Sequence, residues 1–182
     1  MSRTMSALTL LERLQALEDQ AAIRRLMARY MELCDHLDAD TPMDELGDLF
    51  TEDAEWAGKG ERYGQAFGGH HGRAAIVAML DAYRGRPPHF AFNAHFLTSE
   101  VIEASGDQAS GAWMMLQTST FASGASFLTA ARLSVQFRRE TARWRIHRFA
   151  TANLFSRPVD AWNTADALPT PGLHLQSTDM TT

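Results

Sequence analysis

The fold is decided by residues 90–121, FAFNAHFLTSEVIEASGDQASGAWMMLQTSTF, where two long apolar runs flank one short polar turn. The hydrophobic pattern in both runs has a period of two, which is the period of a β-strand. Ser105, Gly106 and Asp107 between the runs are typical of a tight turn. The stretch therefore predicts two long antiparallel strands, over residues 90–103 and 112–121.

The same pattern continues towards the C-terminus and predicts two further strands, over residues 127–138 and 143–153. Short turn sequences, Ser123-Gly124-Ala125 and Glu140-Thr141-Ala142, separate consecutive strands. Strands of this length exceed the usual five or six residues by about twofold. Because long strands curl, we expect a meander of four strands that bends around a pocket.

The first half of the chain has a helical period instead. Apolar residues recur every three or four positions over residues 10–37, with a change of phase that allows either one helix or two. Shorter helices are predicted over 43–50 and 73–83, and a strand begins at 54–56. The glycine-rich stretch 57–72 is typical of a hairpin and loops.

Helices first and a strand meander last indicate an α+β fold, not a parallel α/β sheet. We expect a cone in which a curved, mostly antiparallel sheet wraps around the N-terminal helices. The predicted organisation is a loose arm over residues 1–8, one domain over 9–157 and a C-terminal tail over 158–182. The tail carries Pro, Thr, Ser and Asp with little hydrophobic pattern.

Composition excludes several classes of protein. The 182 residues carry a net charge of −5, which argues against nucleic-acid binding because phosphates require a basic face. The single cysteine, Cys34, excludes an intrachain disulfide and a zinc site built on cysteines. No apolar run approaches the about 20 residues of a membrane span, and no signal peptide is evident. A cytoplasmic location is expected, and the abundance of Arg and Ala indicates a GC-rich, bacterial gene.

Five segments resemble the SnoaL-like branch of the cone-shaped superfamily named after nuclear transport factor 2. They are AAIRRLMARYMELCDHLD (21–38), LGDLFTEDAEW (46–56), GRAAIVAML (72–80), NAHFLTSEVIEASGDQASG (93–111) and RWRIHRFATANLFSRP (143–158). The similarity is greatest to the group of scytalone dehydratase, bile acid 7α-dehydratase and lindane dehydrochlorinase. The resemblance implies the cone-shaped fold and an elimination reaction.

The resemblance also implies a set of catalytic residues. In these enzymes an Asp near the end of the first long helix and a His on the first meander strand form the base, and the matching residues are Asp35 and His95. A Tyr on the same helix matches Tyr30, and an Arg on the last strand matches Arg148. The implied chemistry needs neither a metal nor a redox cofactor.

Elementary chemistry is consistent with these roles but leaves alternatives. Neutral imidazole is a suitable base because its pKa lies near working pH, and a carboxylate behind it would fix the tautomer. At 100° per residue, Asp35 lies about 140° around the helix from Tyr30, so periodicity favours Asp38 instead. A lone strand histidine such as His95 is also commonly structural. Arg148 is in phase with buried neighbours, which indicates an ion pair or an anion site.

Large apolar side chains are expected to shape the pocket. The predicted substrate-binding residues are Trp56, Trp113, Met115, Phe121 and Phe127. Such a lining suits a hydrophobic ring compound better than a sugar or a nucleotide.

The leading hypothesis is a cofactor-independent lyase that removes water, or a related leaving group, from a hydrophobic cyclic molecule. An isomerase with the same base is the nearest enzymatic alternative. Non-catalytic members of the superfamily bind small ligands or serve as assembly subunits of ring-hydroxylating oxygenases, and fold alone does not separate these roles. A homo-oligomer is expected, either a trimer or a dimer.

Overall fold

The computed structural model of the chain describes residues 9–160. Its helices are α1 (Leu10–Asp35), α2 (Met43–Asp48), α3 (Gly60–Phe67) and α4 (Arg73–Asp81), the last extended by a 3-10 turn at Ala82–Arg84. Its strands are β1 (Phe50–Lys59), β2 (Gly69–His71), β3 (Phe90–Ser105), β4 (Gln108–Phe121), β5 (Ser126–Glu140) and β6 (Arg143–Val159). The predicted arm 1–8, and the predicted tail from residue 161 onward, lie outside the described residues.

Helix α1 is one continuous helix. It begins at a capping box, in which Thr9 Oγ1 accepts from the Glu12 amide at 3.3 Å and Glu12 Oε2 accepts from the Thr9 amide at 2.8 Å. The change of phase in the sequence falls at Asp19, which is buried in spite of its charge. Its carboxylate accepts from Trp144 Nε1 at 3.1 Å and from Arg139 Nη2 at 2.7 Å. These partners satisfy the buried acid, so the helix runs through it without a break.

The strands form one curved sheet in the order β2-β1-β6-β5-β4-β3. All neighbours are antiparallel except β1 and β6, which run parallel. The predicted α+β architecture and the meander of four long strands are confirmed. All three predicted turns also lie between the predicted strands.

The core lies between α1 and the concave face of the sheet. Its largest fully buried side chains come from α1, α2, α4 and strands β1, β5 and β6: Ile23, Met27, Leu46, Phe50, Ile76, Leu133, Val135 and Ile146. At about 25 cal/mol per Å² of apolar surface, this burial is the main stabilising contribution to the fold. The core fills the closed end of the cone and leaves the other end open.

Most element boundaries differ from the prediction by a few residues, and three differences change the assignment of a segment. Strand β1 begins at Phe50, where the sequence pattern predicted the end of a helix. Helix α3 lies within 57–72, which was predicted as hairpin and loops. It begins at Gly60 (φ +74°) and ends before Gly68 (φ +61°), so these glycines mark the ends of a helix and not the turn of a hairpin. Strand β6 extends to Val159 and so includes the first residues assigned to the tail.

Candidate active site

A cavity of about 390 Å³ opens at the wide end of the cone. It lies between the concave face of the sheet, the C-terminal half of α1, helix α3 and the end of α4. Aromatic and aliphatic side chains form most of its wall, with a small set of polar groups on β3 and β4. This composition is typical of a site for a small organic ligand.

Asp35 and His95 are in direct contact beside this cavity. His95 Nδ1 lies 2.6 Å from Asp35 Oδ1, and the backbone amide of His95 donates to the same oxygen at 3.0 Å. The side chains are 12% exposed for His95 and 17% exposed for Asp35. Two donors from one residue therefore hold the carboxylate, and the pair is largely shielded from solvent.

The contact defines the tautomer of the ring. An ionised carboxylate only accepts hydrogen bonds, so Nδ1 of His95 carries the proton that Asp35 receives. In the neutral ring Nε2 then carries the lone pair. Since His95 lines the cavity and Asp35 stands behind it, the histidine is the member of the pair available to a bound molecule.

The helix geometry explains the 140° offset. Tyr30 faces β1 and β6, with its ring 5.5 Å from Phe50 and 5.2 Å from Phe149. Asp35 is the last residue of α1 and faces β3 instead, because His95 lies on that strand. Tyr30 and Asp35 therefore lie on two different faces of α1.

Asp38, the residue favoured by periodicity, has a local role. Its Oδ1 accepts from the backbone amide of Asp40 at 2.9 Å, and its backbone amide donates to Thr41 Oγ1 at 2.9 Å. These bonds close the turn that ends α1. The structure thus places Asp35, not Asp38, against His95.

Tyr30 lines the cavity, but its hydroxyl already has a protein partner. Trp56 Nε1 donates to Tyr30 Oη at 3.1 Å. Burial raises the pKa of Tyr30 well above its usual value, so the phenol stays neutral. Burial likewise raises the pKa of the Cys34 thiol to about 12.

A polar network beside His95 was not predicted from the sequence. Asn93 donates through Nδ2 to the Cys34 carbonyl at 3.2 Å, and its Oδ1 accepts from Gln117 Nε2 and Ser119 Oγ, each at 2.8 Å. Asn93 lies two residues before His95, on the same face of β3. The period-two pattern could have revealed it, because a polar residue in phase with a candidate base belongs to the same wall.

Four of the five predicted substrate-binding side chains line the cavity: Trp56, Met115, Phe121 and Phe127. Trp113 does not. It is 3% exposed and packs edge-on against Phe137 at 6.2 Å between ring centroids. Although Trp113 shares a face with Met115, it lies further along β4 over Gly111, in the closed part of the core.

The prediction that Arg148 shares the buried face of Trp144 and Ile146 is wrong. A β-bulge inserts His147 between Ile146, which pairs with Phe137, and Arg148, which pairs with Gln136. The extra residue inverts the alternation, so Phe149 is buried and Arg148 points away from the cavity. Its side chain is 53% exposed and lies 3.2 Å from Glu55 Oε1.

Other cavity residues were also missed. Helix α3 contributes Arg62, Tyr63 and Phe67, and the segment before β3 contributes an aromatic group around His89. The His89 ring lies 5.1 Å from Tyr83 between centroids. The helical character of α3 was hidden by its glycines, so nothing in the pattern placed these side chains at the site.

Residues 9–160 contain neither a candidate metal-binding group of side chains nor a helix suited to span a membrane. Between residues 9 and 160, the His, Cys, Asp and Glu side chains form no group of three that could hold a metal ion. Over the same range, every helix is too short or too polar to span a bilayer.

The fold is an α+β cone, and a largely shielded Asp–His pair lies beside the cavity at its open end. Residues 15–150 match the SnoaL-like domain family, and the chain belongs to that family. The expected resemblance is therefore confirmed. No functionally curated protein matches the chain.

Solved structures share the fold. An NTF2-like protein with a cystatin-like fold from Novosphingobium aromaticivorans is 32% identical, with a TM-score of 0.63, over 82% of this chain and 92% of that one. The type 3 hexachlorocyclohexane dehydrochlorinase of Novosphingobium barchaimii is 18% identical, with a TM-score of 0.67, over 83% and 97%. A protein of Novosphingobium aromaticivorans assigned as a scytalone dehydratase is 18% identical, with a TM-score of 0.65, over 82% and 97%. The last two show similarity of fold alone.

Proposed function

We propose that the protein is a lyase that needs no cofactor and eliminates water, or a related leaving group, from a small hydrophobic cyclic molecule. The observation that supports this most strongly is the contact of 2.6 Å between His95 Nδ1 and Asp35 Oδ1 at the wall of an apolar cavity. Dehydrochlorinase and dehydratase assignments among proteins of the same fold agree with this reaction class.

His95 is the proposed base. Its Nε2 removes a proton from a ring carbon, and the electron pair of the broken C–H bond forms the new C=C bond. Asp35 stabilises the imidazolium that results, because the carboxylate already accepts the Nδ1 proton. The proton on Nε2 then joins the departing hydroxide, so that water leaves and the neutral histidine is restored.

The protein environment supports this step in two ways. The apolar surroundings lower the local dielectric constant, which strengthens the electrostatic interaction between Asp35 and His95. The polar network of Asn93, Gln117 and Ser119 lies beside the base and offers hydrogen bonds to a hydroxyl or carbonyl of the substrate. Tyr30 has a supporting role in this proposal: it lines the cavity and accepts a hydrogen bond from Trp56.

The direct test is a screen of cyclic alcohols, ketones and chlorinated rings, with elimination products detected by gas chromatography and mass spectrometry. We expect turnover by the wild type and loss of turnover in His95→Gln, with binding of the substrate retained. His71→Gln is the matched control, because His71 is exposed on β2.

Other outcomes would identify the alternatives. Migration of a double bond without loss of a group would identify an isomerase. Binding without turnover in both the wild type and His95→Gln would identify a ligand-binding protein. Tight association with a large iron-containing partner would identify an assembly subunit of an oxygenase.

A further inference from the structure

Arg62 is one of several arginines within residues 9–160 that form no ion pair, and it is the one among them that lines the cavity. The arginines that do form ion pairs lie within 4.0 Å of an aspartate or glutamate, as Arg29 does with Glu45 at 2.7 Å. Arg62 lines the cavity from α3 and has no such carboxylate partner within residues 9–160. The Arg62 residue is exposed, so its guanidinium lies where the cavity meets solvent and can pair with an anionic group of a molecule that enters.

The other ionisable groups of the cavity do not neutralise this charge. They are Tyr30, Cys34, Tyr63, Tyr83, His89 and His95, and the described lining residues include no aspartate or glutamate. Burial raises the pKa values of the three tyrosines and of the thiol, so these groups stay uncharged. Asp35, which lies behind the wall, is bound to His95.

The backbone fixes Arg62 at this wall. At Gly58 of β1, a Cβ atom would lie 2.1 Å from the carbonyl oxygen of Tyr63, so only glycine allows α3 to pack this closely. On the inner side of α3, Phe67 packs edge-on against Trp56 at 5.8 Å between centroids. The guanidinium is therefore carried by a docked helix and not by a free loop.

We propose that Arg62 binds a carboxylate group of the substrate, so that the cyclic molecule taken by this cavity is an organic acid. The inference deepens the proposed function, because it rests on the cavity being the substrate site. A single guanidinium matches the single charge and the two oxygens of a carboxylate, which it can bind in a bidentate manner. A phosphate would bring close to two charges to one cation.

The test uses two probes of the same shape, cinnamate and cinnamamide, with dissociation constants measured by calorimetry. We expect the wild type to bind cinnamate about twofold to fivefold more tightly than cinnamamide, as for an exposed ion pair in good geometry. Arg62→Gln abolishes this preference and leaves cinnamamide binding unchanged. Arg62→Lys retains part of it, because the charge remains but the planar fork is lost.

Arg132→Gln is the matched control, since Arg132 is exposed on β5 and does not line the cavity. An equal loss of cinnamate binding in Arg132→Gln would overturn the proposal, because net charge alone would then explain the preference. So would an unchanged preference in Arg62→Gln, or no binding of cinnamate to the wild type. His95→Gln separates binding from the reaction. If this variant keeps the preference for cinnamate over cinnamamide but has no turnover, the role of Arg62 is supported independently of the lyase proposal.

Discussion

At the scale of single residues, the Asp35–His95 pair combines two functions in one carboxylate. It accepts the ring proton and also the backbone amide of the strand that carries the ring. The histidine is thus held in both tautomer and position by a residue that a bound molecule does not touch. Asp35 is a positioning residue in the proposed reaction, and His95 is the catalytic one.

Asp35→Asn tests this division of roles. The amide keeps the size of the side chain but can donate to Nδ1, which would move the ring proton to Nε2 and remove the lone pair from the cavity. We expect kcat to fall by about 10²-fold to 10⁴-fold with little change in KM. Asp38→Asn is the control, because Asp38 only closes the turn after α1, and it should leave kcat within about twofold of the wild type.

Cys34 gives a second prediction at this scale. A thiol with its pKa raised to about 12 by burial is almost entirely protonated at neutral pH, and the thiolate is the reactive form. We expect Ellman's reagent to leave the folded protein unmodified at pH 8 and to titrate one thiol in urea. Rapid modification of the folded protein would contradict the burial of the thiol and its raised pKa.

At the scale of elements, α3 is the part of the cavity wall that depends most on one backbone contact. Gly58→Ala places a methyl group against the Tyr63 carbonyl and must displace α3. We expect a loss of about 1–3 kcal/mol in the free energy of unfolding in urea, together with weaker binding of cinnamamide. Gly69→Ala is the matched control, since a Cβ there meets nothing within 4 Å. Equal effects in the two variants would show that α3 is not held by this contact.

The elements also show how far the sequence can be interpreted. The alternation over residues 90–153 predicted the meander, because successive side chains of a strand point to opposite faces of the sheet and the sequence shows this period of two. It did not predict the bulge at His147. One inserted residue turns Arg148 to the other face of the sheet, and the hydrophobic pattern of the neighbouring residues gives no sign of it. It also missed α3, because glycines that bound a short helix resemble glycines of a loop. The Asp35–His95 contact followed only from the family resemblance. Helix periodicity identifies the apolar face of α1 that carries Tyr30, whereas Asp35 lies on a different face of the same helix.

At the scale of the whole molecule, the two faces of the sheet have different roles. The concave face forms the core and the cavity. The convex face carries exposed apolar side chains, including Phe96 at 52%, Val101 at 59% and Leu116 at 37% exposure. Phe96 and Leu116 are direct cross-strand neighbours on β3 and β4. Adjacent exposed apolar groups of this kind are typical of interaction surfaces.

We expect this convex patch to bind further copies of the chain, giving a trimer or a dimer, because the contact would remove neighbouring apolar side chains from water. Sedimentation equilibrium of the wild type should give a mass two or three times that of the 20.2 kDa chain. Phe96→Glu, which places a charge at the centre of the patch, should give a monomer that keeps its far-ultraviolet circular dichroism. Leu10→Glu is the control at an apolar residue outside the sheet that is more exposed than Phe96, at 81%. A monomeric wild type, or dissociation caused equally by both variants, would exclude the convex face as the site of assembly.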